Sequence, residues 1–188
     1  IIATGDVIEK GLYLGDLLKR EIKHAGFYGR ITSTNVVLSP DSPQTDWCTV
    51  TPTKRHLTTP VFGLNNKTSL CTDTHLLVDS DVLMIRRAST AVAPSLVTAQ
   101  HYIQSNFDDV ILATGVAANF TLTGMDGTTL APIHEFYQDV YYVDSDKKFK
   151  RRRLVNGAIE DEPLMEGVDD FQVQYGIDTD ADNIADTF

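Results

Sequence analysis

The first part of the chain repeats apolar residues at the period of an α-helix. Charged residues fill the opposite side, and Gly26 follows where a left-handed C-cap residue would end the helix. The pattern therefore predicts one amphipathic helix over about residues 4–25. The apolar positions that form its stripe are Val7, Leu14, Leu18, Ile22 and Ala25.

Three glycines prevent this helix from being stable alone. Gly5, Gly11 and Gly15 each weaken it by about 1 kcal/mol relative to Ala. We therefore expect the apolar stripe to pack against another part of the molecule, and a sheet of the same chain is the simplest partner.

The pattern beyond residue 76 has the shorter period of β-strands. The segment Ser95–Ser105 fits either a short helix or a strand, and Asn156-Gly157 marks a turn. The predicted strands are Val82–Arg87, Val110–Ala113, Asn119–Thr123, Phe136–Val143, Lys148–Val155 and Val168–Tyr175. The fourth and fifth of these form a predicted hairpin. A helix followed by short strands, without strand–helix alternation, predicts an α+β fold with antiparallel sheet.

Residues 39–75 are rich in Pro, Thr, Ser, Asp and Asn, which predicts a long irregular segment. Its two cysteines, Cys48 and Cys71, lack the spacing of a zinc or redox site. In this polar sequence a disulfide is favoured over two free cytosolic thiols, and it would indicate an oxidising compartment. We expect one soluble domain in which this stapled segment precedes a β-rich part at 76–177.

The charge of the chain is concentrated at one end. The net charge is −10, and residues 160–188 hold ten acidic residues without any Lys or Arg, whereas the rest has 16 of each sign. An anionic partner such as nucleic acid is therefore disfavoured at this end. The sequence lacks a long apolar run that would span a membrane. Because it begins at Ile1 rather than Met, we expect a mature or truncated piece.

The acidic end contains a pattern typical of a calcium loop. Asp178, Asp180, Asp182 and Asp186 occupy positions 1, 3, 5 and 9 of such a loop, and Ile184 would offer its backbone carbonyl at position 7. Ca²⁺ prefers oxygen ligands, and carboxylates this close repel one another unless a cation lies among them. The alternative is an acidic, solvated turn. The usual ligand at position 12 falls beyond the last residue.

Motifs for catalysis are missing from the sequence. The five histidines are scattered, and neither the helical zinc-protease pattern nor the Gly-x-Ser-x-Gly elbow occurs. The basic run Lys147–Arg153 could bind phosphates, form a charged edge strand, or pair with the acidic residues after Glu160. We expect a protein that is not an enzyme, and a hydrolase using Cys or His is the least favoured alternative.

Four segments in order along the chain carry a family resemblance. They are Arg20-Glu-Ile-Lys-His-Ala-Gly-Phe-Tyr-Gly29, Ser80-Asp-Val-Leu-Met-Ile-Arg-Arg87, Tyr141-Tyr-Val143 followed by Leu154, and the block from Leu164 to Asp180. Together they resemble the PilW family, the minor pilins of bacterial type IV pili. A related family, the type II secretion minor pseudopilin GspJ, has a similar helix and sheet, but the Asp-rich loop favours PilW.

The resemblance implies a pilin-like fold, with a long N-terminal helix packed on antiparallel sheet, and a non-catalytic role in pilus assembly and the tip complex. Its implied partners are other minor pilins, the major pilin and a tip adhesin. Val7, Leu14, Leu18 and Ile22 would then face the sheet on one side and neighbouring subunits on the other. An apolar half-helix preceding Ile1 would hold the protein in the inner membrane and periplasm before it joins the extracellular fibre. A calcium-dependent adhesin or DNA-binding module is the alternative from another class.

Overall fold

The computed structural model describes residues 2–31, 48–71, 75–176, 178–180 and 186–187. Within them lie one α-helix and seven strands, which confirms the predicted α+β fold with antiparallel sheet. The helix α1 spans Ile2–His24, and two short 3-10 helices span Lys54–Thr58 and Ala117–Asn119. The strands are β1 (Val61–Leu64), β2 (Val82–Val92), β3 (His101–Ser105), β4 (Val110–Thr114), β5 (Ile133–Val143), β6 (Lys148–Val155) and β7 (Ala158–Glu166).

All the strand pairs are antiparallel and share one sheet, in which β5 is central. The order along the main path is β1-β2-β5-β3-β4, while β6 and β7 continue from the other part of β5. One edge of β5 pairs with β2. Its other edge pairs with β3 at residues 133–135 and with β6 at residues 139–143.

The two sides of the sheet bury alternate residues of the same strands, as the pleat requires. On the side that we call the helix face, Leu17 of α1 forms a core with the sheet residues Leu83, Ile85, Tyr141, Val143 and Phe149. On the opposite side, the disulfide face, Leu70, Leu76, Val82, Met84, Val140 and Tyr142 form a second core, with Cys48 packed against it. A third core beside β3 and β4 includes Tyr28, Ile103 and Phe136.

The helix ends where the sequence predicts. Gly26 has a φ of +75°, and its N–H donates to the carbonyl of Arg86 at 3.0 Å, so the chain passes directly from the helix to the edge of β2. The buried stripe differs from the predicted one, because Leu17 (8% exposed) and Glu21 (2% exposed) take central positions in it. A charged residue on the buried side of a helix cannot be recognised from the spacing of apolar residues alone.

Several strand predictions are confirmed, and others are wrong. The predicted strands at 82–87, 110–113, 136–143 and 148–155 are present, each as long as predicted or longer. Of the segment 95–105, residues 101–105 form β3, and no part of it is a helix. The segment 119–123 is not a strand. Its first residue ends the 3-10 helix Ala117–Asn119, and the side chain of Phe120 is buried. The segment 168–175 is not a strand either. Strands β1 and β7 were not predicted, and β1 shows that the segment 39–75 is not irregular throughout its described part.

The β7 strand was missed because its composition is unusual for a strand. It contains Glu160, Asp161, Glu162 and Pro163, residue types that are depleted in β-structure. At the edge of a sheet such residues are tolerated and protect against pairing with other chains. In the described part of the chain, no helix has both the length and the apolar character needed to cross a membrane.

Candidate functional site

Residues 168–176 follow β7 and form what we call the C-terminal strap, which crosses the helix face beside α1. Val168, Phe171 and Val173 pack against the helix-face core. The ring of Phe171 meets that of Phe149 edge-on, with centroids 5.1 Å apart and planes at 76°. The alternating residues that predicted a strand therefore serve to cover the sheet rather than to extend it.

A buried carboxylate attaches the strap to the sheet. Asp81, just before β2, accepts a hydrogen bond from the N–H of Val173 at 2.8 Å through one oxygen and from the N–H of Asn66 at 3.1 Å through the other. Its own N–H donates to the carbonyl of Phe171 at 2.8 Å. Asp81 thus joins the loop after β1, the start of β2 and the strap. Sequence reasoning missed this role, although Ser80-Asp81 belongs to one of the segments that carry the family resemblance.

The end of the strap lies over β1. A Cβ added at Gly63 would overlap the hydroxyl of Tyr175, so this position has space only for hydrogen. A groove of about 370 Å³ lies beside this contact, between the strand and the strap, with Leu64, Asn65 and Gln172 among its lining residues. The strap therefore leads the chain to a defined place at the edge of the sheet, from which the acidic loop begins.

The acidic loop brings three of its predicted ligands together. Carboxylate oxygens of Asp178, Asp180 and Asp186 all lie within 4.8 Å of one another, and all three residues are exposed. The N–H and hydroxyl of Thr179 donate to Asp186 at 2.6 and 2.5 Å, and these hydrogen bonds lower the pKa of that carboxyl.

The donor set of this loop suits a hard cation. All of the converging ligand atoms are carboxylate oxygens, the type that Ca²⁺ and Mg²⁺ bind, and exposure leaves room for water molecules to complete the shell. Within the described residues, this is the one group of three or more His, Cys, Asp or Glu side chains that converge closely enough for a metal ion. The other two predicted ligands, Asp182 and Ile184, lie outside the described residues.

The predicted disulfide is present between Cys48 and Cys71. Their Cα atoms are 5.7 Å apart, and the bond closes a loop with a sequence separation of 23. The chain contains no other cysteine, so it has no free thiol for nucleophilic catalysis.

The four residues predicted to bind partners lie along α1 in two environments. Leu14 and Leu18 are half-buried against the helix-face core. Val7 continues the same stripe beyond the sheet and is 68% exposed, whereas Ile22 lies at its flank and is 48% exposed. Ile8, Leu12 and Tyr13 are also largely exposed on this N-terminal half of the helix.

The basic run of β6 pairs with acidic residues, which was one of the three predicted uses. Arg152 pairs with Asp161 at 2.7 Å, Arg151 with Glu162, and Lys150 with Asp144 at 2.6 Å. Much of the acidic character of β7 is therefore compensated by the strand beside it. These pairs leave less of the positive charge of β6 available to an anion.

Comparison with known families finds one match. The family described as type IV pilus-assembly protein W (PilW) matches residues 140–188, a stretch that runs from the end of β5 through the hairpin of β6 and β7, the strap and the acidic loop. This confirms the predicted resemblance over that stretch. No curated protein and no solved structure shows a significant match to the chain.

Proposed function

We propose, from the match of residues 140–188 to type IV pilus-assembly protein W, that this chain is a non-catalytic minor pilin that acts in pilus assembly by binding neighbouring subunits. The observation that carries the proposal is the shape of α1. Its C-terminal half packs on the sheet, while its N-terminal half presents exposed apolar side chains on several sides of the helix. A helix with three glycines and an unburied apolar side requires such neighbours for stability.

The binding surface consists of the exposed apolar residues of α1. Val7, Ile8, Leu12 and Tyr13 surround the N-terminal half of the helix and are each more than half exposed. Several large apolar side chains exposed together on one half of a helix favour a site of protein association. Other minor pilins, the major pilin and a tip adhesin are the partners that we propose for it, in the periplasm during assembly and then in the fibre.

The acidic loop has a structural role in this proposal. Ca²⁺ bound by Asp178, Asp180 and Asp186, with Asp182 and the carbonyl of Ile184 as further ligands, would neutralise carboxylates that otherwise repel one another. Because the strap enters the loop directly, ordering the loop would also fix the strap on the helix face. The cation would therefore stabilise the region that matches the family.

Substitutions on α1 test the assembly role. In bacteria that carry Val7→Asp or Ile22→Asp in place of the native protein, we expect pilus number to fall to the level of a deletion strain. The purified variants should keep their melting temperatures within about 2 °C, because both side chains are exposed. Lys19→Asp, a larger charge change at an exposed position of the same helix, is the control and should leave pili intact. Normal pili with both apolar variants would contradict the proposed role of α1.

Calorimetry tests the calcium loop separately. We expect Ca²⁺ to bind the native chain and to slow hydrogen exchange of the strap amides, and we expect Asp180→Asn to abolish both effects. Ca²⁺ at a hundred times its dissociation constant should stabilise the fold by about 2.7 kcal/mol. Asp108→Asn, which removes the same charge from an exposed turn elsewhere, is the matched control. If Ca²⁺ changed neither measurement, the loop would be an acidic turn, and the assembly role would still stand on α1.

A further inference from the structure

A groove with four arginines lies between the C-terminal end of α1 and strands β2, β5 and β6. Its volume is about 310 Å³, and Arg20 of the helix faces Arg87, Arg151 and Arg153 of the sheet across it. The hydroxyl residues Ser89 and Thr90 also line it. In a chain with a net charge of −10, such a concentration of guanidinium groups is unexpected and indicates a local preference for an anion.

Most of this positive charge is already compensated by three carboxylates. Arg87 Nε donates to Glu21 at 2.6 Å, and Arg153 binds both oxygens of Asp139 at 2.5 Å. Arg151 pairs with Glu162 at the rim.

The fourth guanidinium, that of Arg20, has no carboxylate among the described residues that it does not share with another arginine. It lies 3.7 Å from Glu21, which already pairs with Arg87, and its side chain is 66% exposed. After these pairings about one positive charge is in excess, which matches a single monoanion better than a doubly charged phosphate.

The groove is held in a fixed geometry by an aromatic ring. The guanidinium of Arg87 lies 4.7 Å from the centroid of the Tyr137 ring, and that of Arg153 lies 4.4 Å from the same centroid. Cation–π contacts restrict both side chains, so their remaining N–H groups are oriented before a ligand arrives. A planar arrangement of N–H donors is the partner that a carboxylate prefers.

A buried hydroxyl of the helix-face core has no hydrogen-bond partner among the described residues. The Tyr141 hydroxyl is fully buried, and no described group bonds to it. Tyr141 is paired across the sheet with Arg151, and burial raises its pKa, with the charges of Asp139 and Glu21 adding to the effect. Such an orphaned donor is costly unless another group satisfies it. Tyr141 does not line the groove, so this hydroxyl belongs to the helix-face core, and the argument for a ligand depends on the arginines alone.

We propose that this arginine groove binds a carboxylate, presented by an acidic side chain of a partner protein or by a free organic acid. Arg20 would supply the uncompensated charge, and Thr90 and Ser89 would supply neutral hydrogen bonds. The inference goes beyond pilus assembly, because it depends on the chemistry of the groove and not on the exposed side of α1. A binding partner that presents Glu or Asp would seat one carboxylate between the helix and the sheet.

Titration of the purified full chain with a blocked oligoglutamate peptide and, separately, with acetate tests this site. Calorimetry would measure affinity, and NMR signals of the arginine Nε–H groups would report the location. We expect the Arg87 and Arg153 signals to shift in low salt, and we expect Arg20→Glu to weaken binding by at least about tenfold. Lys19→Glu, the same charge change one residue away, should alter affinity by less than about twofold, because Lys19 does not line the groove and water and salt screen its charge.

The two possible sources of the carboxylate, a partner protein and a free organic acid, would give different results, and either result would support the site. Oligoglutamate that binds more tightly than acetate would identify a protein partner, and equal binding of the two would identify a free acid. The proposal is overturned if oligoglutamine binds as well as oligoglutamate, if phosphate binds more tightly than either carboxylate, or if Lys19→Glu and Arg20→Glu have equal effects. Failure of this test would leave the assays of Val7 and Ile22 unaffected, since those report pilus number.

Discussion

The two faces of the sheet are covered by different means. On the disulfide face the covering segment is local in sequence and is closed by the covalent bond between Cys48 and Cys71. On the helix face the cover consists of α1 and the C-terminal strap, from the two ends of the described chain. Beneath it, apolar contacts are accompanied by the ion pairs Glu21–Arg87 and Asp139–Arg153.

This difference separates two ways of stabilising a fold. A disulfide acts mainly by restricting the unfolded chain, so it tolerates changes in the residues around it. Buried ion pairs act in the folded state, where removal of one partner leaves an uncompensated charge. The helix face should therefore be more sensitive to single substitutions than the disulfide face.

The largest effect should come from Asp139→Ala on the helix face. Asp139 is 0% exposed, and its loss leaves the Arg153 guanidinium without a carboxylate. We expect the free energy of unfolding, measured in urea, to fall by about 3–5 kcal/mol. Glu162→Ala, which removes the exposed partner of Arg151, is the control and should cost less than about 1 kcal/mol. Equal effects of the two substitutions would contradict the distinction between buried and exposed pairs.

On the disulfide face, the double substitution of Cys48→Ser and Cys71→Ser should have the next largest effect. The loop separation of 23 residues predicts a loss of about 3 kcal/mol in the chain-entropy model. The native spectrum should persist in the variant, because the core of Val82, Met84 and Val140 is retained. Urea denaturation with a dithiol reductant should give the same value for the native protein. If the helix face and the disulfide face unfolded in separate transitions after reduction, the sheet would not unfold as one cooperative unit.

Asp81→Asn should weaken the connection between the sheet and the strap. The amide can accept through one oxygen, so one of the N–H groups of Asn66 and Val173 loses its partner. We expect a loss of about 2 kcal/mol, since an unsatisfied buried group costs about 1–3 kcal/mol. Hydrogen exchange should accelerate in the strap more than in β3. Uniform acceleration throughout the sheet would show that the strap is not a separate unit.

The smallest effect should come from Gly63→Ala at β1. The new methyl group would displace the hydroxyl of Tyr175, which is partly exposed and can move into solvent. We expect a loss of about 1 kcal/mol, together with a shift of the Tyr175 ring signals in NMR spectra. Gly124→Ala meets its nearest neighbour, the carbonyl of Thr129, at 3.5 Å and serves as the control. Unchanged Tyr175 signals in Gly63→Ala would contradict the close contact.

Local signals predicted much of the fold. Gly26 ended the helix in the expected left-handed conformation, and the Asn156-Gly157 turn between β6 and β7 has positive φ at both residues, as a type I′ hairpin requires. The cysteines also paired as predicted. The helix end and the hairpin turn each depend on a few neighbouring residues, and such features can be recognised from sequence alone. The disulfide joins more distant residues, but the chain has only these two cysteines.

Features that depend on distant contacts were not predictable. Glu21 is buried because Arg87, 66 residues away, pairs with it, and no helical pattern encodes that partner. The segment 168–175 alternates like a strand, but its apolar residues pack on the helix face and it pairs with no described strand of the sheet. Of the candidate site, the convergence of Asp178, Asp180 and Asp186 followed from their spacing, whereas the anchoring role of Asp81 depended on the position of the strap.

The central place of β5 also has a consequence for the order of folding. Its partner β2 is made much earlier; Arg86 and Gln138, which bond across the two strands, are separated by 52 positions. During synthesis, α1 and β2 must therefore wait, with their apolar residues uncovered, until β5 emerges. Sheets built from such distant contacts fold slowly, and their unfinished intermediates are prone to aggregate. A chaperone that binds the nascent helix would act in this interval, before the molecule has a helix face at all.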